Sequence, residues 1–126
     1  MRVLVLVLQM VIRVLWIVQI VIGIVFFSGH LLGLVSLHEA LGTLIAICLL
    51  ILSIVGLMRG RAGVVGVLGI IEAFLLPIVG IGQLSMLPGN DHIVIEVVHL
   101  LIGIAAIVLA EMIGARYRRV TRVGRG

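Results

Sequence analysis

The chain has 126 residues, of which 63% are hydrophobic and 11% charged, with a formal net charge of +4. A water-soluble domain carries about 45–50% apolar and about 25% charged residues. This chain has too little polar surface to cover a soluble globule and takes the bilayer as its solvent. Its nine basic residues are all arginine and gather at segment ends, with no basic face interleaved with aromatics, which argues against nucleic acid as a partner.

The first predicted element covers residues 3–27. It is too long for a signal-peptide core, carries Arg13 in its middle and lacks a small-residue cleavage site, so it reads as a membrane helix. Ser28-Gly29-His30 turns the chain into a second span, 31–58, whose Cys48 is the single cysteine and reads as a small buried apolar residue. Arg59-Gly60-Arg61 leads to the third span, 62–86, where Pro77 with Gly80 and Gly82 predicts a bend. Leu87-Pro88-Gly89-Asn90-Asp91 is a turn and helix-start signal before the fourth span, 93–115. Each span has about 23–28 residues where about 20 suffice to cross the hydrocarbon core. Backbone groups in lipid must be satisfied within the segment, which makes all four helices. Residues 116–126 form a basic tail, and 1–126 reads as one integral membrane domain.

Short links make successive helices antiparallel, so the expected fold is all-α, a four-helix transmembrane bundle running up-down-up-down. Arg2, Arg59, Arg61, Arg116, Arg118, Arg119, Arg122 and Arg125 all fall on one side of it. The positive-inside rule makes that side cytoplasmic, with both termini there and the cell inner (plasma) membrane as the location. The tail also suits an anionic lipid surface.

Ionisable side chains inside membrane helices are costly and mark functional sites. Here they are Arg13, His38, Glu39, Glu72, Glu96 and His99, with His30 and His92 at the rim. His38 and His99 both lie about seven residues, or roughly 10 Å, below the outer start of their helices. Each is followed four residues later by glycine, Gly42 and Gly103, and positions i and i+4 share a helix face. Helices one and three bring Gly23 and Gly80 to the same level. Two imidazoles facing one another across a slot cleared of side chains suit a flat, bulky ligand held axially. Haem b, ligated by His38 and His99, is the expected cofactor.

In His38-Glu39-Ala40-Leu41-Gly42 and His99-Leu100-Leu101-Ile102-Gly103 the chain resembles the four-helix b-type membrane cytochromes that bind haem through paired histidines. It also resembles small four-helix membrane proteins of the same layout. The resemblance covers nearly the whole chain as architecture and two short motifs as sequence. It implies electron transfer, to or from a quinone or a redox partner subunit, by a small b-type cytochrome or a cytochrome-like subunit of a larger respiratory or redox complex rather than a stand-alone enzyme. Di-haem relatives carry a second histidine pair in the other leaflet. None is present here, so one haem is expected, with a second on His30 and His92 as the alternative.

Two other readings compete. His92, Glu96 and His99 fall on one stripe of the fourth helix, so a mononuclear metal site with His38 is a rival, as is a transport role for this cluster. Glu96 is also a candidate acceptor to orient the His99 ring. The second reading is a cofactor-free accessory subunit whose glycine-rich helices pack against a larger membrane complex. In the inner half, Arg13 and Glu72 lie at matched depth on parallel helices and are expected to pair, as a register-fixing ion pair or part of a proton or quinone site. Gln19, Gln83 and Trp16 complete the polar and aromatic candidates near the haem level. No nucleophile–base pair and no nucleotide motif is present.

Overall fold

The computed structural model describes residues 1–30, 32–59, 62–87 and 89–123. Gly60, Arg61, Pro88 and Arg125, on which the turn and charge readings drew, lie outside them. Four helices follow in order: α1 Arg2–Phe27, α2 Val35–Met58, α3 Val64–Gly82 and α4 His92–Val123. All four are long and apolar enough to cross a membrane, which makes this a multi-pass membrane protein.

Three boundaries differ from the sequence reading. α2 starts at Val35, after a 3-10 turn at Leu32–Leu34, and α3 stops at Gly82, where a second 3-10 turn takes Gln83–Ser85. Apolar composition continues through the first turn, which hydropathy alone cannot see, whereas the second carries the polar Gln83 and Ser85 inside what the sequence reading took as one span. α4 runs on to Val123, and Arg116, Arg118 and Arg119 are part of that helix instead of a tail. Arginine is a good helix former, and no glycine or proline interrupts the run before Gly124.

α1 packs on α2 and α4, α3 packs on the same two helices, and α2 also touches α4. α1 and α3 therefore stand on opposite sides of the α2/α4 contact. Gln9 meets Ala110 while Trp16 meets Gly103, so α4 recedes in number as α1 advances.

Near the arginine-bearing helix ends the packing is close because glycine makes it so. A Cβ on Gly66 would stand 2.7 Å from both Ala62 Cβ and Leu57 Cγ, and one on Gly56 would stand 2.8 Å from Ala62 Cβ. Gly69 lies directly against Ser53, whose hydroxyl donates to the Leu49 carbonyl at 2.7 Å, and Gly114 lies directly against Gln9. Such small-residue contacts let helix backbones approach where hydrophobic driving force is absent. The α2–α3 turn is held there by Arg116 Nη1, which donates to the Ala62 carbonyl at 3.0 Å. Gly63 in that turn has φ +53°, a left-handed conformation that disfavours any side chain. Val5, Ile12, Leu49, Leu52 and Ile113, drawn from α1, α2 and α4, are the largest fully buried hydrophobic residues of the core.

Candidate functional site

Toward the other end the bundle is hollow. A cavity of about 710 Å³ lies among all four helices, with His38, His99, Trp16, Gln19, Gly80 and Gly103 in its wall. Its volume falls within the about 300–1,000 Å³ range of small-molecule and cofactor sites. The wall is predominantly apolar, with a few polar groups converging on it.

His38 on α2 and His99 on α4 face one another there, their ring centroids 6.3 Å apart and their planes inclined at 63°. The edge of Phe26 packs against His38 at a centroid distance of 5.3 Å. Among the described residues neither ring makes a hydrogen bond, and the Nδ1 of each is buried without a partner. The common structural use of a membrane histidine, a hydrogen bond across the bundle, is therefore not the use made of this pair.

The four glycines expected around the pair divide by task. Gly80 supports His99: a Cβ there would stand 2.9 Å from the imidazole Cε1. Gly23 lies in ordinary contact range of His38, at 3.9 Å from its Cε1. Gly103 has nothing within 4 Å of an added Cβ, so it opens directly on the cavity. Gly42 clears space for Gln19 instead, whose Nε2 would lie 3.0 Å from its Cβ. The imidazoles thus meet glycines of the flanking helices α1 and α3. The i+4 glycine of each histidine's own helix serves Gln19 or the open space, because each side chain leans toward its neighbour across the bundle.

Two further polar groups close the site. Gln19 Nε2 donates to the His38 carbonyl at 2.7 Å, tying α1 to α2, while its Oε1 is buried without a partner. Trp16 Nε1 donates to the Gly103 carbonyl at 2.8 Å, tying α1 to α4 at the cavity's deep end. Gln83 also lines the cavity.

The metal alternative is not what the fold builds. Among the described residues no group of three or more His, Cys, Asp or Glu comes together to hold a metal ion. Glu96 lines the cavity but lies 3.8 Å from His92 Nε2, one turn along its own helix, and gives His99 Nδ1 no acceptor. His92 Nδ1 is 3.3 Å from the Met86 carbonyl, and His30 sits exposed beside Ser28 Oγ at 3.4 Å. Neither rim histidine lines the cavity.

The inner polar residues also pair differently from expectation. Arg13 makes a two-pronged ion pair with Glu111 of α4, Nε to Oε1 at 2.5 Å and Nη2 to Oε2 at 2.7 Å. Glu72 receives nothing from it, and its Oε1 is buried without a partner. Matched depth on α1 and α3 was a sound observation, but those helices are not neighbours, whereas α1 and α4 are. Two residues of this network escaped the sequence reading. Gln9, 2% exposed, donates from Nε2 to the Ala110 carbonyl at 3.2 Å and accepts from Arg118. Its signal was the i, i+4 spacing to Arg13. Glu111 stood close enough to the arginine-rich end to pass as interfacial.

No family model, no curated protein and no solved structure matches the chain.

Proposed function

We propose that the protein is a b-type cytochrome of the inner membrane, a bundle running up-down-up-down with both termini and its arginine-bearing ends on the cytoplasmic side. His38 and His99 would hold one haem b between α2 and α4. The observation that carries this reading is the separation of the imidazoles. A metal ion bound by both imidazoles at about 2.0–2.1 Å would need their ring centroids within about 6.4 Å of one another. The rings stand 6.3 Å apart.

Three other features fit the same group. The cavity has the volume of a cofactor site. The flanking helices present Gly23 and Gly80 at the histidine level. No protein group competes for either imidazole, since neither ring makes a hydrogen bond among the described residues. When bound, the haem supplies one-electron transfer chemistry. The chain's own part is to fix the two ligands from separate helices, to exclude water with a largely apolar wall, and to seal the deep end with the Trp16–Gly103 bond.

The electron partner would be a lipid-soluble quinone or a redox subunit of a larger complex. Ile24 and Leu100, which line the cavity, are exposed on the bundle's outer surface, and this opening between α1 and α4 suits an apolar partner arriving through the lipid.

The test is an absorption spectrum of protein produced with an ample haem supply. A Soret band with reduced alpha and beta bands, abolished in His38→Ala and in His99→Ala, is the expected result. A colourless wild-type protein would end the cytochrome reading.

A further inference from the structure

Glu72 has no place in the site above. Its residue is 8% exposed, in the middle of α3, and its Oε1 has no hydrogen-bond partner. It lies about 12 Å into the bilayer from the start of α3 at Val64. Arg13, the one arginine so deep in a span, is committed to Glu111. Away from the helix ends, the other ionisable groups on the helices packed against α3 are His38, Glu39 and Cys48 of α2 and Glu96, His99 and Glu111 of α4. Among the described residues none of them forms a hydrogen bond or ion pair with Glu72. A bare carboxylate in hydrocarbon is prohibitive, so the group holds a proton instead.

The packing above and below it is unequal. On the arginine side, Gly69 lies against Ser53 and Gly66 against Ala62 and Leu57, with no room for a methyl group. On the other side, Leu76 and Pro77, one turn on, are wall residues of the cavity. Pro77 has no N–H, so the Ala73 carbonyl beside Glu72 loses its helix donor and remains an acceptor in the same turn. One helical turn separates Glu72 from the cavity wall at Leu76, whereas the close contacts of Gly69 and Gly66 lie between it and the arginine end.

We propose that Glu72 is a proton-binding site of the membrane interior, loaded and emptied only from the cavity side, past Leu76 and Pro77. This holds whatever ligand fills the cavity and does not rest on the haem reading.

The experiment uses the full chain in sealed liposomes, sorted by access of trypsin to the arginine end, and treated with dicyclohexylcarbodiimide. A protonated carboxyl adds across the C=N bond, oxygen to carbon and proton to nitrogen. The acyl group then moves to nitrogen, so the peptide gains one whole carbodiimide and nothing leaves. Mass spectrometry is expected to find the adduct on Glu72. An alkaline step on the cavity side should slow its formation several-fold, and the same step on the arginine side should leave it unchanged. Leu76→Trp, which adds bulk one turn along the route, should blunt the cavity-side response several-fold. Absence of the adduct in wild-type protein, a rate that follows pH on the arginine side, or a rate that responds to neither side overturns the proposal.

Discussion

Gly80→Ala is the sharpest test of how the histidine pair is held. The new Cβ would stand 2.9 Å from His99 Cε1 and 3.7 Å from each ring nitrogen. Carbon atoms pack best at about 3.5–4.0 Å, so the ring must retreat by about 0.6–1.1 Å or the helices must part by as much. Ligand distances in a working metal site hold to about ±0.2 Å, so on the proposed haem reading that displacement would take His99 out of ligating position. Loss of a group that only orients a ligand typically weakens binding about 10–100-fold, and a comparable fall is expected here. Two companion substitutions calibrate it. Gly23→Ala meets His38 at an ordinary 3.9 Å and should bind haem within a few-fold of wild type. Gly103→Ala meets no protein atom within 4 Å, so it leaves the ligand-free fold intact and weakens binding only by intruding on the cavity. The assay is haem titration of each apo-protein, followed in the Soret region, with helix content measured alongside. Wild-type affinity in Gly80→Ala would refute the argument that this glycine sets the position of His99.

Other outcomes follow from the same geometry. His30→Ala and His92→Ala should keep the spectrum that His38→Ala and His99→Ala lose, since neither rim histidine lines the cavity; its loss in either would revive a second ligand pair. In a double-mutant cycle, Arg13→Ala and Glu111→Ala should couple by about 0.5–3 kcal/mol in mixed-micelle unfolding, whereas Arg13→Ala and Glu72→Gln should be additive within about 0.5 kcal/mol. The reverse pattern would restore the pairing expected from depth alone. Gly114→Ala places a methyl group where Gln9 lies and should destabilise the bundle by about 1–3 kcal/mol in the same assay, with part of the loss recovered in Gln9→Ala/Gly114→Ala. Trp16→Phe removes the bond to the Gly103 carbonyl and should cost about 1 kcal/mol.

What the sequence disclosed, and what it hid, divides along physical lines. The bilayer demands an unbroken apolar run for each crossing, so all four helices were visible. Matched depth brought His38 and His99 together because depth is read directly from residue number at a fixed rise per residue. The same logic misassigned Arg13, because depth says nothing about which helices are neighbours, and Glu111 of α4 was the acid within reach. The i+4 glycines were correctly placed at the site's level, yet which neighbour each one accommodates depends on the direction of side chains from other helices, as Gln19 over Gly42 illustrates. The 3-10 turn at Leu32–Leu34 left no mark in hydropathy, being as apolar as the helix it adjoins, whereas Gln83 and Ser85 are a polar break at the end of α3.

Among the described residues, the side-chain bonds from α1 to α4 run from Gln9 to Trp16 and go no further. Beyond Trp16, eleven residues of α1 extend past the last fastening to Phe27, a lever about 16 Å long. Pivoting there by about 5° moves its tip by about 1.4 Å. Because Gln19 ties this arm to the His38 backbone, α2 is drawn along with it, while His99 stays seated on α3. The distance between the two imidazoles thus depends on how far α1 and α2 stand from α3 at this level of the bundle.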